Sequence, residues 1–415
     1  MYSSPRLEQH KSGVRAEVKL PLILIHTPFG LRFFDRVAKW PGAKAYAALN
    51  IYLMPAITAL AIFLIVGSLL VMFSNAAARE GVRDIGLEAN LLIPGLNPYL
   101  PITYGWIALV VTLVIHEGGH GIVARVYNLR VDSTGLVLFL GIPIGAFVNI
   151  EREELGRATL KQKCGVLTAG PLNNMILAGA SLLALYFVIS TLTPLPPNPG
   201  LPQFGVLVVN VSPGSLAQSV GLTPGSVIQS VAGEEVRAQQ DLGTILRENL
   251  GQTVQLTWID ENGVATTRDL NLPAEVEQDK PILGVGVSPL SQSQDVLDRY
   301  KGAFGANPLA LLLPPTLQPT AVPYSDFMAP KYTSNVFGSA FAPIANLLFW
   351  LWFINFNVGI FNALPIGPLD GGQLYGALIE KRAKSAVLAK NANMLLTLCM
   401  VAIVAGSLLL PHVIP

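Results

Sequence analysis

The sequence predicts a polytopic, mainly α-helical membrane protein of about five spans with one small α+β extracytoplasmic domain. Three observations carry this. Of 415 residues, 51% are hydrophobic and 13% charged, whereas a soluble domain is about 25% charged. Roughly five stretches stay apolar over the ~20 residues that a bilayer crossing needs. Between the third and fourth of these, short β-prone runs alternate with Gly, Pro and Asn.

The expected spans are Ile51–Phe73, Tyr104–Val126, Val166–Ser190, Ala340–Phe361 and Ala386–Leu410. The positive-inside rule orients them. Lys11, Arg15, Lys19, Arg32, Arg36, Lys39 and Lys44 precede the first span, which makes residues 1–50 a cytoplasmic N-terminal segment. Arg125, Arg130, Arg152, Arg157, Lys161 and Lys163 follow the second span, and Lys381, Arg382, Lys384 and Lys390 precede the fifth. The loop 74–103 sets only Arg79 and Arg83 against Glu80, Asp84 and Glu88. The expectation is a multi-pass cell-membrane protein with its N-terminus inside and its C-terminus outside. Met1–Lys19 is polar, so no cleaved secretory peptide is expected. A net charge of +1 with no basic stripe argues against a nucleic-acid partner. Cys164 and Cys399 lie far apart in or beside spans, where a structural disulfide is not expected.

The spans divide into a first membrane part, residues 51–190, and a second, residues 340–415. Between them the chain opens with a Pro-rich linker over 191–204, whose composition favours extended, semi-rigid backbone. Residues 205–287 follow as a folded insert, and 288–339 as an extracytoplasmic connector. Within the insert, Gly205–Gly214 reads as strand and turn, Ser215–Val220 as a short helix and Gly221–Ile228 as a lead into a second strand. A polar helix over Ala238–Asn249 and a hairpin, Val254–Ile259 with Thr266–Leu272, complete it. This order resembles a PDZ domain over about Gly205 to Val287. Ser226 stands where that pattern usually has an acid. The resemblance implies a strand–helix groove for a peptide; the residues alone fit a β-rich spacer as well.

The chemistry lies in His116-Glu117-Gly118-Gly119-His120, inside the second span. Histidines at i and i+4 share one helix face and suit one metal ion. An ionisable group at bilayer depth needs a partner, a cavity or a metal. A catalytic zinc takes three protein ligands and keeps one position for water. Glu117, next to the first histidine, suits a general base on that water and then a general acid. The remaining histidines are His10 and His26, before the first span, and His412, at the C-terminus. A carboxylate is therefore expected as third ligand, and Asp370 is the candidate. It sits in Asn362-Ala-Leu-Pro-Ile-Gly-Pro-Leu-Asp-Gly371, directly after the fourth span, where Pro365, Gly367 and Pro368 break the helix. Asp370 equally suits an N-cap for a helix over Gly371–Arg382.

HExxH in one span, paired with Asn-x-x-Pro-x-x-Pro-x-Asp-Gly after a later one, resembles the two motifs of the site-2 proteases, archaeal members above all. Gly170-Pro171-Leu172-Asn173-Asn174 matches a further element of that family, and the likeness covers almost the whole chain. It implies an intramembrane metalloprotease with Zn2+ on His116, His120 and Asp370 and with Glu117 catalytic. Asn362, and more weakly Asn174, would hold the substrate or the oxyanion; Asn174 also suits a plain bond between spans. Gly118 and Gly119 fit either close helix packing or room for a substrate backbone. The segment Gly135–Ile150 is too short and too interrupted to span, and reads as a buried loop or a re-entrant hairpin turning at Gly141–Gly145. The resemblance favours the hairpin, whose edge would pair with an unwound substrate.

The expected function is hydrolysis of peptide bonds in or near transmembrane segments of other membrane proteins. The partners are those substrates, the bilayer and a peptide for the insert. The alternative is a catalytically inactive scaffold that binds clients through the insert.

Overall fold

The computed structural model describes residues 13–195, 204–260, 263–276, 281–289 and 293–414. His10, residues 196–203 of the expected linker and the pair Glu261-Asn262 lie outside them. In chain order, β1 (Arg15–Lys19), β2 (Leu22–Thr27) and α1 (Leu31–Ala38) precede α2 (Ala43–Ser74) and α3 (Ala76–Ile85). Then come α4 (Ile102–Val126), β3 (Val131–Phe139), β4 (Ile142–Ile150), α5 (Arg152–Arg157) and α6 (Leu160–Ser190). A second group runs through β5 (Leu192–Pro194), β6 (Val206–Val211), α7 (Leu216–Ser219), β7 (Val227–Val231), β8 (Glu234–Glu235) and α8 (Gln239–Glu248). It continues with β9 (Thr253–Ile259), β10 (Ala265–Asn271), β11 (Val285–Pro289), α9 (Ser293–Ala306) and β12 (Tyr332–Ser334). The chain closes with α10 (Phe341–Asn362), α11 (Asp370–Arg382) and α12 (Ala386–Val413). Two compact units result, Met1–Leu185 with Leu347–Pro415, and Tyr186–Asn346.

Among the described residues, α2, α4, α6, α10 and α12 are the helices long and apolar enough to cross a membrane. All five coincide with expected spans, and the protein is a multi-pass membrane protein. α2 begins earlier than Ile51, because Ala43 and Ala47 are already buried against α4 and its flanks. Two turns further in, Met54, Ile57 and Ala61 pack with Ile360, Leu364, Leu374 and Met400 from α10, the turn after it, α11 and α12. This contact is apolar throughout, and Ala61 is small enough for close approach of the spans.

Beside the helices in the first unit stands a four-stranded antiparallel sheet, in the order β1-β2-β3-β4. The sequence reading assigns no strand to residues 1–50. The structure puts two there, and Leu22 pairs with Phe139 and Thr27 with Thr134. The segment over 135–150 is a hairpin, and its turn is Leu140-Gly141, with φ of 50° and 89°. That left-handed pair suits the right-handed twist of the flanking strands. β4 forms one edge of the sheet.

The second unit is larger than the expected insert. Its sheet runs β10-β9-β7-β6-β11, with β8 paired to β7. Val254, Leu256 and Trp258 alternate inward along β9 and meet Val206, Val208, Ile228 and Val231. Leu242, Ile245 and Leu246 of α8 close the same core. The stretch 288–339, expected as a connector, is built into this unit. α9 buries Val296, Leu297 and Tyr300, and the hydroxyls of Tyr300 and Tyr324 lie 2.6 Å apart. β12 pairs with β5, so the way in and the way out of the unit run antiparallel.

Candidate metal centre

His116 and His120 face the same way from α4 because their spacing is one helical turn. Their Nε2 atoms stand 3.2 Å apart. Asp370 Oδ2 lies 3.1 Å from the Nε2 of His116 and 3.4 Å from that of His120. Among the described residues this is the group of His, Cys, Asp and Glu that could hold a metal ion. Donors about 2.0–2.1 Å from a tetrahedral metal stand about 3.3 Å from one another, and all three sides of the triangle meet that requirement.

Other atoms fit a metal too. Asp370 Oδ2 is buried, and among the described residues no group donates a hydrogen bond to it. A side chain at Gly170 would put its Cβ 2.7 Å from His116 Nε2 and still closer to His120 Nε2. The glycine of α6 thus leaves open the space that the three donors face. His120 Nδ1 is 2.7 Å from the carbonyl of Val166, to which it can donate, leaving the lone pair of Nε2 free for a metal. His116 Nδ1 meets the side-chain amide of Asn174 at 2.9 Å. A histidine that gives Nε2 to a metal carries its proton on Nδ1, so this amide must present Oδ1 there. Nδ2 is the atom that stands at 2.9 Å, so ligation through Nε2 calls for this amide turned over.

Asp370 reaches the histidines from an irregular turn. Between α10 and α11 the chain leaves helical geometry at Ala363–Leu369, as the prolines require. The freed backbone groups find partners: Thr58 of α2 donates to the carbonyl of Ala363 at 3.0 Å, and Gly367 N–H donates to Thr397 Oγ1 of α12 at 3.0 Å. Such backbone persists within a membrane only when protein satisfies it. The N-cap of α11 is Leu369, and Asp370 is its first helical residue. The cap role weighed for Asp370 is thereby corrected: its carboxylate points at the histidines.

Glu117 is half-buried, and its Oε2 accepts the backbone N–H of Val148 on β4 at 2.9 Å. The edge strand therefore orients the carboxylate next to the first histidine. Asn362 bonds the carbonyl of Val358 in its own helix at 3.1 Å, and no hydrogen bond links it to the triangle. Asn174 is buried behind His116 and contacts that imidazole, so it does not lie on an open face for substrate. Gly119 answers to packing, since a Cβ there would stand 2.6 Å from the carbonyl of Ala169 on α6. The bond from Val148 to Glu117 escaped the sequence reading, which had no way to set the strand's register against α4.

The profile of peptidase family M50 matches residues 104–406, from the start of α4 through α12. The chain belongs to family M50, the site-2 proteases. The M50 match takes in the triangle, Glu117 and the whole second unit. Relatives support it at low identity. An uncharacterized protein of Methanocaldococcus jannaschii is 22% identical over 377 residues, covering 90% of this chain and 82% of that protein. A protein of Clostridium acetobutylicum named "putative zinc metalloprotease" is 24% identical over 308 residues, 66% of this chain and 85% of its own. The "probable protease eep" of Enterococcus faecalis is 26% identical over 234 residues, covering 54% and 51%.

Proposed function

We propose that this M50 protein is an intramembrane zinc metalloendopeptidase acting on peptide bonds in or near transmembrane segments of other membrane proteins. The observation that carries the reading is the triangle of His116, His120 and Asp370 between membrane-crossing helices, with Glu117 held beside it. Zinc held there supplies Lewis acidity and water acidic enough to lose a proton near neutral pH. Glu117 Oε2 stays on Val148 while Oε1 takes the proton from the attacking water and returns it to the leaving amine. Asp370 offsets the positive charge of the ion, and Asn174 and the Val166 carbonyl keep each imidazole in the tautomer that ligates.

A substrate helix must unwind before its carbonyls are accessible, since its backbone bonds are internal. The free edge of β4 offers an extended segment a strand to pair with, next to Glu117. In the second unit, β11 is likewise the end strand of its sheet and lies alongside α8. This supports the PDZ-like reading and a peptide partner on β11. The departure at Ser226 suits its setting, because it is buried and its hydroxyl is 3.2 Å from that of Thr223. By loop charge, the N-terminus is cytoplasmic and the second unit lies outside.

The test is Glu117→Gln in the purified chain, reconstituted with a transmembrane substrate. Zinc content should match wild type while cleavage falls to background. Equal cleavage by both proteins removes Glu117 from the chemistry; no cleavage by zinc-loaded wild type of any membrane client favours the scaffold.

A further inference from the structure

α1 shows two faces of different character. Phe34 is buried, at 6% exposure, and its ring packs against Gly121, just after the His116–His120 motif, and reaches Gly118 within it. A Cβ at Gly121 would come within 2.7 Å of Phe34 Cδ2, and one at Gly118 within 3.9 Å of Cε1. Asp35 is paired with Arg125 of α4 at 3.1 Å. The outward side is different. Phe29, Phe33 and Trp40 are 81%, 55% and 65% exposed, although each is aromatic. Next to Phe33 around the helix run Arg32, Arg36 and Lys39, all exposed. Asp35 is the single acid between Phe29 and Lys44, and Arg125 already holds it. An aromatic edge beside an uncompensated basic stripe, just ahead of the first residue of a membrane-crossing helix, is the composition of a helix lying in the membrane interface.

We infer that α1 is an in-plane anchor, docked on an anionic lipid leaflet through Phe33 and Trp40 with Arg32, Arg36 and Lys39 on the headgroups, and braced through Phe34 on the metal-bearing helix. The aromatic rings sit at the level where amphipathic rings are favoured, and the basic groups meet the negative surface potential. Because Phe34 fills the space over Gly118 and Gly121, the same short helix also packs on that face of α4. The inference needs only that α2 crosses the membrane, and it stands apart from the proteolytic reading.

The test uses the full chain with Cys164 and Cys399 replaced by Ser, and a single nitroxide on either Phe33→Cys or Arg36→Cys. Each is reconstituted into phosphatidylcholine vesicles, with and without phosphatidylglycerol, and collision rates with oxygen and with a polar nickel chelate are measured. The label at 33 should favour oxygen over nickel several-fold more than the label at 36, and this contrast should grow when phosphatidylglycerol is present. Arg32→Gln with Lys39→Gln, in the position-33 background, should remove the growth. Equal nickel access at both positions in both vesicles overturns the anchor. Spin–spin broadening at position 33 that fades on dilution with unlabelled chain also overturns it, and assigns the face to a second copy of the protein.

Discussion

At the residue scale, the centre depends on what Gly170 lacks as much as on what the ligands supply. In a helix interior, Gly→Ala ordinarily adds roughly 0.5–1 kcal/mol of stability. At position 170 the added carbon would stand 2.7 Å from His116 Nε2, in the space that the donors face. Gly170→Ala should therefore leave a folded chain whose zinc content, by atomic emission, drops toward zero; a fully loaded variant would show that the metal sits elsewhere. The histidine pair was legible in the sequence because i and i+4 are neighbours by local geometry alone. Asp370 was legible through its motif, but its place as the first residue of α11 and not its cap was not. For Asn174 the sequence left a substrate contact and a bond between spans both open, because nothing local shows that a side chain 58 positions from His116 will turn to its Nδ1.

At the element scale, β4 carries the least expected connection. Its Val148 N–H is given to Glu117, so the strand proposed to receive a substrate also aims the carboxylate beside His116. A hydrogen bond to a charged group contributes roughly 1.5–3 kcal/mol. Proline is tolerated on an edge strand where the lost N–H faces away from the ladder. Val148→Pro should lower kcat about 10–100-fold with zinc content unchanged, and Val148→Thr should behave as wild type. Unaltered turnover by the proline variant would detach β4 from the orientation of Glu117. The residues around Gly141 left a buried loop and a hairpin both open, and the family resemblance favoured the hairpin that the structure has. The pairing of β2 with β3 was not, because a register such as Ile25 opposite Leu136 joins segments more than a hundred residues apart.

At the scale of the whole molecule, the two compact units correspond to two composition regimes in the chain. Their sidedness is a prediction from loop charge. With Cys164 and Cys399 replaced by Ser, a cysteine at Gln239 of α8 should react with an impermeant thiol reagent in intact cells. One at the exposed Glu153 of α5 should react only after lysis. The reverse pattern would invert the assigned topology. The folded unit spans Tyr186–Asn346 and exceeds the insert expected over 205–287. Its extra part is held by α9 and the β5–β12 pair, whose strands are three residues each and carry no pattern readable in isolation.

From sequence alone came the membrane class, the five crossings and the three side chains that the structure gathers at one point. The first two depend on composition over a window of about one span, the histidine pair on spacing within one helical turn, and Asp370 on its motif. Only the tertiary structure decided how the donors are supported. The Val166 carbonyl and Asn174 amide behind the imidazoles, the Val148 N–H on Glu117 and the Thr58 and Thr397 hydroxyls that steady the Asp370 turn all come from distant parts of the chain. Buried polar groups must find partners wherever the packing brings one within reach, and packing is settled by the whole chain at once.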